Sequence, residues 1–189
     1  MNKKVSFLKI LLYIIYIFSI GFFLFKKDYG RVGLSVISLS ILFILTKIYM
    51  NKLPFLDDRL FIVGNLFILF SFVLGSSYNL YDKIKFYDDF LHFWSGFISV
   101  KIGWNILKET DSKLSIGRLW FCIVLFLFAM GVASICEISE YLLDTYANMK
   151  TQAGGLKDTM QDMIDAFFGA SIMIIYYYRK YLSKDATLK

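Results

Sequence analysis

The chain has 189 residues, of which 58% are hydrophobic and 19% aromatic, and it carries a formal net charge of +6. An ordinary soluble domain is only about 45–50% apolar, so this composition excludes a soluble globular protein. The 21 Lys and Arg residues lie in short clusters between long apolar runs, as topology determinants do, which argues against nucleic acid as a partner.

Six long apolar runs follow one another along the chain, and a helix needs about 20 such residues to cross a bilayer. The runs cover residues 7–25, 32–50, 60–80, 90–107, 119–143 and 159–178. They do not alternate apolar and polar residues, so helices are favoured over barrel strands. The sequence therefore predicts an all-α membrane protein, a six-transmembrane helical bundle that forms a single integral membrane domain over residues 1–189.

An even number of spans places both termini on one side of the membrane, and positive charge predicts which side that is. Of the 21 Lys and Arg residues, 12 lie on the terminal side and 7 on the other, while Lys9 and Lys101 fall within spans. Both termini are therefore predicted to be cytoplasmic. The lipid bilayer is the expected partner, and a homo-oligomer stays open.

The fourth predicted helix opens with a polar face. Asp88 and His92, the only histidine of the chain, are four residues apart and therefore stack on one side of the helix. Ser95, Ser99 and Gly103 continue this face as a stripe of small residues, which allows another helix to approach closely. The pattern predicts that this face points into the bundle.

The fifth predicted helix ends with two glutamates in an otherwise apolar segment. Glu137 and Glu140 are three residues apart and share a face with Asp144. An ionised side chain near the bilayer centre costs about 2.5–3.5 kcal/mol on insertion scales. The pair therefore requires a charged partner, a proton or water.

The sixth predicted helix begins with a ladder of carboxylates. The spacing of Asp158, Asp162, Asp165 and Gly169 keeps them on one stripe of the helix. Negative charge is also favoured at a helix N-terminus by the macrodipole, so part of the ladder is explained by capping alone.

The predicted topology brings these three polar helix ends to the outer face of the membrane, where they can meet in one pocket. The candidate catalytic residues are Asp88, His92, Glu137, Glu140, Asp158 and Asp162, with roles unassigned. The last five of these are also candidate metal ligands. One imidazole with several carboxylates suits Zn²⁺, Mn²⁺, Mg²⁺ or Ca²⁺ as a cofactor.

Three motifs occur in order in the second half of the chain: Tyr87-Asp88-x-x-x-His92-Phe93-x-x-Gly96, then Glu137-x-x-Glu140, then Asp158-Thr159-x-Gln161-Asp162-Met163 with Gly169-Ala170. This combination resembles the YjdF-like family of bacterial inner-membrane proteins and, more distantly, the VanZ-like family. VanZ-like proteins tend to carry an Asn where this chain has Asp165-Ala166. The resemblance implies a multi-pass protein of the bacterial cytoplasmic membrane and carries over no activity.

Three functional interpretations follow from the residues. The first is a metal-dependent or acid–base membrane enzyme that acts on an envelope or lipid-like substrate. The second is a small transporter or a proton or ion pathway, which at this size would need a dimer. The third is a structural membrane protein whose polar residues form interhelical hydrogen bonds.

Overall fold

The computed structural model describes residues 2–53, 55–114, 117–152 and 154–186, and over these residues it is helical, without a β-strand. The helices are α1 (Lys3–Phe25), α2 (Tyr29–Met50), α3 (Asp58–Ile68), α4 (Leu80–Lys83), α5 (Tyr87–Leu114), α6 (Arg118–Ala147) and α7 (Leu156–Ala186). Helix α3 continues without a break into a π-helical segment, Leu69–Ser77. Five of the six predicted runs each lie within one helix, and the third, 60–80, spans α3, the π-helical segment and the first residue of α4. The all-helical prediction is confirmed.

Four of the helical segments within the described residues are long and apolar enough to cross a membrane: Lys3–Phe25, Tyr29–Met50, Asp58–Ser77 and Arg118–Ala147. Many of their large apolar side chains are exposed, such as Phe7, Phe25 and Leu119. Such a surface is matched to lipid, because in water a soluble protein rarely exposes apolar patches of this extent. Helices α5 and α7 begin with acidic turns, and their predicted crossing of the membrane stays a prediction.

The helix contacts divide the chain into two compact units, the first ending at Tyr87 and the second starting at Asp88. Two units can share one membrane domain, so the single domain predicted from the sequence stays a prediction.

Polar side chains cap the N-termini of the long helices in the first unit. The side chains of Asn2, Asp28 and Asp57 accept hydrogen bonds from the backbone N–H groups of Lys4, Arg31 and Leu60. These caps satisfy donors that the first turn of a helix leaves without partners.

The π-helical segment of the first unit is fixed by two tyrosines. The Tyr81 ring packs against Gly75, where an added Cβ would lie 2.5 Å from the ring. The Tyr87 hydroxyl donates to the carbonyl oxygen of Phe70 at 2.9 Å. A wider helical turn often occurs at a functional or strained position, and here it accommodates the aromatic pair formed by Tyr81 and Tyr87.

The second unit is built on a close crossing of α5 and α7. A Cβ added at Gly169 would lie 2.0 Å from the carbonyl oxygen of Phe93, and one added at Gly96 would lie 2.4 Å from that of Ala166. The two backbones are therefore in direct contact, which only glycine permits at these positions.

Beyond this crossing, the interior of the second unit is mostly apolar, with Ser99 and Asn105 as buried polar residues. Val100, Phe121, Leu125, Ala129, Ala170 and Tyr177 form a buried cluster. Trp104 stacks on Tyr177 with ring centroids 4.1 Å apart. This cluster fixes the three long helices of the unit and lies directly below the polar residues described next.

Candidate metal centre

His92 lies at the centre of a cluster of carboxylates from α5, α6 and α7. Its Nε2 atom is 3.4 Å from Asp88 Oδ1 and 3.8 Å from Asp162 Oδ1. Its Nδ1 atom is 3.7 Å from Glu137 Oε1. Each distance exceeds the usual hydrogen-bond length of about 2.7–3.2 Å, so the imidazole is surrounded by carboxylates without being tightly bonded to them.

The glycine crossing explains why these side chains meet. His92 lies one turn before Gly96 on α5, and Asp162 lies one turn before Ala166 on α7. Gly96 contacts Ala166, and the side chains one turn earlier on each helix also meet, with His92 Nε2 3.8 Å from Asp162 Oδ1. Glu137 projects from the buried side of α6, whose opposite side exposes Ile135 and Ile138.

Two of the carboxylates are buried without hydrogen-bond partners. Glu137 is 6% exposed and Asp162 is 3% exposed. Among the described residues, neither oxygen of the Glu137 carboxylate has a hydrogen-bond partner, and the same holds for Asp162 Oδ2. A buried polar group without a partner costs about 1–3 kcal/mol, and more when it is charged. A proton or a cation at this point would remove that penalty.

The separations fit a cation better than direct pairing. Zn²⁺ binds imidazole nitrogen and carboxylate oxygen at about 2.0–2.2 Å, which places two ligands on one ion roughly 3–4 Å apart. The distance of 3.7 Å from His92 Nδ1 to Glu137 Oε1 falls in that range, and Glu140 offers an oxygen within 4.8 Å of both side chains. Asp162 faces the other ring nitrogen, Nε2, which points away from the ion that Nδ1 would bind. His92, Glu137 and Glu140 therefore have the donor types and the spacing of a divalent-cation site.

Ligand atoms lie within 4.8 Å of one another in three overlapping groups of the described residues. The groups are Asp88–His92–Asp162, His92–Glu137–Glu140 and Asp89–Asp162–Asp165. The structure thus brings together Asp88, His92, Glu137, Glu140 and Asp162 of the predicted site.

Asp158, the remaining predicted residue, belongs to none of these groups among the described residues. It packs instead against Gly154, where an added Cβ would lie 2.9 Å from the Asp158 Cβ. Its proposed ligand role stays a prediction.

Asp89 and Asp165 join the cluster although the predicted site does not include them. Asp165 occupies the carboxylate stripe of α7, three residues after Asp162, and Asp89 precedes His92 by three residues on α5. Both spacings place a side chain on the face of its neighbour, and this helical spacing is the signal that could have identified them.

The connection between α6 and α7 folds back over the Glu137 side of the cluster. The Asp144 carboxylate accepts hydrogen bonds from the backbone N–H groups of Thr151 and Gln152, at 2.7 Å and 3.0 Å. The Gln152 side-chain amide donates to Thr159 Oγ1 at 2.8 Å and lies 3.5 Å from the Glu137 carbonyl oxygen. Asp144 therefore holds the loop in place over the Glu137 side of the cluster. Asp88 has a more exposed side chain than His92, Glu137 or Asp162 and lies on the side of the cluster that is open to solvent.

An all-helical chain with apolar spans and a buried histidine–carboxylate cluster defines a class of integral membrane protein embedded in the lipid bilayer. Residues 7–182 match the model of a family described as "Predicted membrane protein (DUF2238)", and the chain belongs to this family. The function of the protein is not established by this membership.

A relative described as "Uncharacterized protein" from Thermotoga maritima is 34% identical over 113 residues, which are 57% of this chain. The match spans 56% of the length of that relative. No solved structure matches the chain significantly. The resemblance to YjdF-like and VanZ-like proteins stays a prediction.

Proposed function

We propose that this protein is a metal-dependent membrane enzyme that acts on a lipid-like or envelope substrate, with a divalent cation held by His92, Glu137 and Glu140. The observation that carries the proposal is the buried Glu137 carboxylate, which faces His92 Nδ1 at 3.7 Å and whose two oxygens have no hydrogen-bond partner among the described residues. A cation bound beside His92 would compensate the charges of Glu137 and Glu140 together.

The donor set favours Zn²⁺, which imidazole suits, or Mn²⁺, which carboxylates suit and which stands above Mg²⁺ and Ca²⁺ as a transition metal able to accept a nitrogen ligand. Three protein ligands leave a further coordination position for water or substrate, as in catalytic zinc sites. On the other side of the ring, His92 Nε2 faces Asp88 at 3.4 Å and Asp162 at 3.8 Å, and these carboxylates can orient the imidazole, as the outer partners of metal-bound histidines commonly do. The Asp88 side chain is 38% exposed and can exchange a proton with solvent.

Two observations favour an enzyme over the other interpretations. Residues that only hold helices together should be paired, whereas the Glu137 carboxylate oxygens and Asp162 Oδ2 lack partners among the described residues. A transport path through the second unit would require a continuous series of polar groups beyond the cluster, whereas the buried side chains described there are apolar except for Ser99 and Asn105.

The proposal places the site near the outer face of a bacterial cytoplasmic membrane, with all six predicted runs crossing and both termini inside. Asn148 ends α6 next to the loop that covers the cluster, and Lys52 lies between α2 and α3. In a background with Cys122→Ala and Cys136→Ala, we expect a membrane-impermeant thiol reagent to label Asn148→Cys in intact cells but not Lys52→Cys.

Lysed cells provide the control, because both introduced cysteines should then be labelled. Labelling of Lys52→Cys alone in intact cells would place the cluster on the cytoplasmic side and contradict the proposed orientation.

Metal analysis of purified protein tests the proposed site. We expect at least one Zn²⁺ or Mn²⁺ per chain in the parent protein, and we expect His92→Ala and Glu137→Gln to reduce bound metal by about tenfold or more, as loss of a ligand removes charge and coordination together.

Asp82→Asn is the control, because Asp82 is an exposed carboxylate that lies in none of the three groups. It should retain the metal, while Glu140→Gln should bind it more weakly. A parent protein without bound metal after incubation with Zn²⁺ and with Mn²⁺ would reject the proposal.

A further inference from the structure

A cleft with three basic side chains lies at one end of the first unit. It forms where α1 begins, α2 ends and α3 begins, and its volume is about 820 Å³. This size is within the range of pockets that hold small organic ligands. The basic residues that line the cleft are Lys9, Lys52 and Arg59.

The two acidic residues of the cleft, Asp57 and Asp58, are bonded to neutral groups. Asp57 caps α3, because its carboxylate accepts a hydrogen bond from the backbone N–H of Leu60 at 2.8 Å. The Asp58 carboxylate accepts hydrogen bonds from the Asn2 side-chain amide at 2.8 Å and from the Tyr49 hydroxyl. Both carboxylates therefore have a structural role at the start of α3.

The three basic side chains are not neutralised by the protein itself. Within the described parts of the chain, no carboxylate lies at ion-pair distance from Lys9, Lys52 or Arg59. Cations that line one cleft with low-dielectric walls reinforce each other's field and attract an anion. Arginine is also well suited to a phosphate group, because its planar guanidinium can donate two parallel hydrogen bonds.

Apolar side chains line the same cleft and continue onto the exposed apolar surface of the unit. Leu56 is buried, whereas Met50 is 66% exposed and Leu53 is 41% exposed. On α1, Phe7 and Ile10 are exposed on either side of Lys9 in the sequence. A small inorganic anion gains nothing from apolar walls, whereas a lipid presents an anionic headgroup together with apolar chains.

We infer that this cleft binds a membrane phospholipid of net negative charge, with Lys9, Lys52 and Arg59 around its phosphate group and the apolar side chains against its glycerol and acyl region. Basic pockets between transmembrane helices bind the headgroups of anionic lipids on the cytoplasmic side of membranes. In the proposed orientation this end of the unit faces the cytoplasm. All residues of the cleft lie in the first unit, so the inference does not depend on the metal site.

Native mass spectrometry of the full chain in a neutral detergent tests the inference. Dioleoyl phosphatidylglycerol is the anionic probe, and dioleoyl phosphatidylcholine, which has the same acyl chains and no net charge, is the comparison. We expect the parent to bind one phosphatidylglycerol at least tenfold more tightly than phosphatidylcholine. Lys52→Asn and Arg59→Gln should each weaken phosphatidylglycerol binding about fivefold, which is the contribution of one basic residue near an anionic membrane surface.

Lys27→Asn is the matched control for Lys52→Asn. Both lysines are exposed and follow a long helix in the left-handed conformation, with φ angles of 56° and 53°. Only Lys52 lines the cleft. Asparagine adopts this conformation more readily than lysine, so both variants should fold, and Lys27→Asn should bind phosphatidylglycerol like the parent.

Three results would overturn the inference. Equal affinities of the parent for the two lipids would exclude recognition of an anionic headgroup. An equal loss of phosphatidylglycerol affinity in Lys27→Asn and Lys52→Asn would mean that surface charge in general, and not the cleft, attracts the lipid. Displacement of phosphatidylglycerol by millimolar inorganic phosphate would assign the cleft to a free anion. If Arg59→Gln fails to fold, the comparison of the two asparagine variants still decides.

Discussion

Gly169→Ala is expected to destabilise the second unit more than other single-methyl additions to this protein. The new Cβ would lie 2.0 Å from the carbonyl oxygen of Phe93, and the atom that must move is backbone rather than the end of a flexible side chain. Overpacking of a rigid contact costs about 1–3 kcal/mol and occasionally more, and we expect the upper end. For a unit of this size the thermal unfolding midpoint should fall by roughly 10 °C or more.

Gly131→Ala is the matched control, because a Cβ at this glycine of α6 would meet nothing within 4 Å. Alanine is favoured over glycine within a helix by about 1 kcal/mol, so this variant should keep or raise the midpoint. Thermal unfolding in detergent, followed by the loss of helical circular dichroism, measures both. An unchanged midpoint in Gly169→Ala would mean that α5 and α7 do not cross in backbone contact.

The same substitution should also affect the metal centre. The Gly169 contact and the His92–Asp162 approach belong to one crossing, so separating the helices moves His92, the ligand on α5, away from the α7 carboxylate that faces its Nε2 atom. We therefore expect Gly169→Ala to bind metal more weakly even where it remains folded. Gly131→Ala should bind metal like the parent.

Glu137→Met is expected to stabilise the metal-free protein and to abolish its stabilisation by metal. The Glu137 carboxylate is buried and lacks hydrogen-bond partners among the described residues, so an apolar side chain of similar size removes a penalty. Replacing buried charged groups by apolar ones of similar volume is often neutral or stabilising by about 1–4 kcal/mol. The parent, by contrast, should gain about 2.7 kcal/mol when metal is present at 100 times its dissociation constant.

Unfolding midpoints with chelator and with added Zn²⁺ measure these two effects separately. Ile138→Met is the control, since Ile138 is exposed on the opposite side of α6 and should retain the full metal-dependent shift. A metal-free Glu137→Met protein several degrees less stable than the parent would favour the structural interpretation, in which Glu137 holds helices together.

The positions of the helices could be predicted from the sequence because the bilayer leaves few alternatives. Backbone groups in hydrocarbon must be satisfied within the segment, so each long apolar run had to be helical. The polar faces of α5 and α7 followed from helical spacing alone, which is why Asp88 with His92, and Asp162 with Asp165, could be placed together before any tertiary structure was known.

Helix ends and irregular turns were less accessible to prediction. The run predicted at 159–178 belongs to a helix that covers Leu156–Ala186, because polar turns extend a helix beyond its apolar stretch. The π-helical turn at Leu69–Ser77 depends on how Tyr81 and Tyr87 pack against it, and apolar periodicity does not encode such packing.

Composition and periodicity therefore determined that this is a helical membrane protein, and they determined which side chains share a helix face. Only the tertiary structure decided which faces meet. Asp165 belongs to a ligand group of the cluster, whereas Asp158 belongs to none. Asp144 binds the loop between α6 and α7, and the Glu137 oxygens have no hydrogen-bond partners among the described residues. The physical reason is that a contact between helices depends on their rotation and crossing point. Here these are fixed by the direct contact of Gly96 and Gly169 with the backbone of the facing helix, which no local pattern specifies.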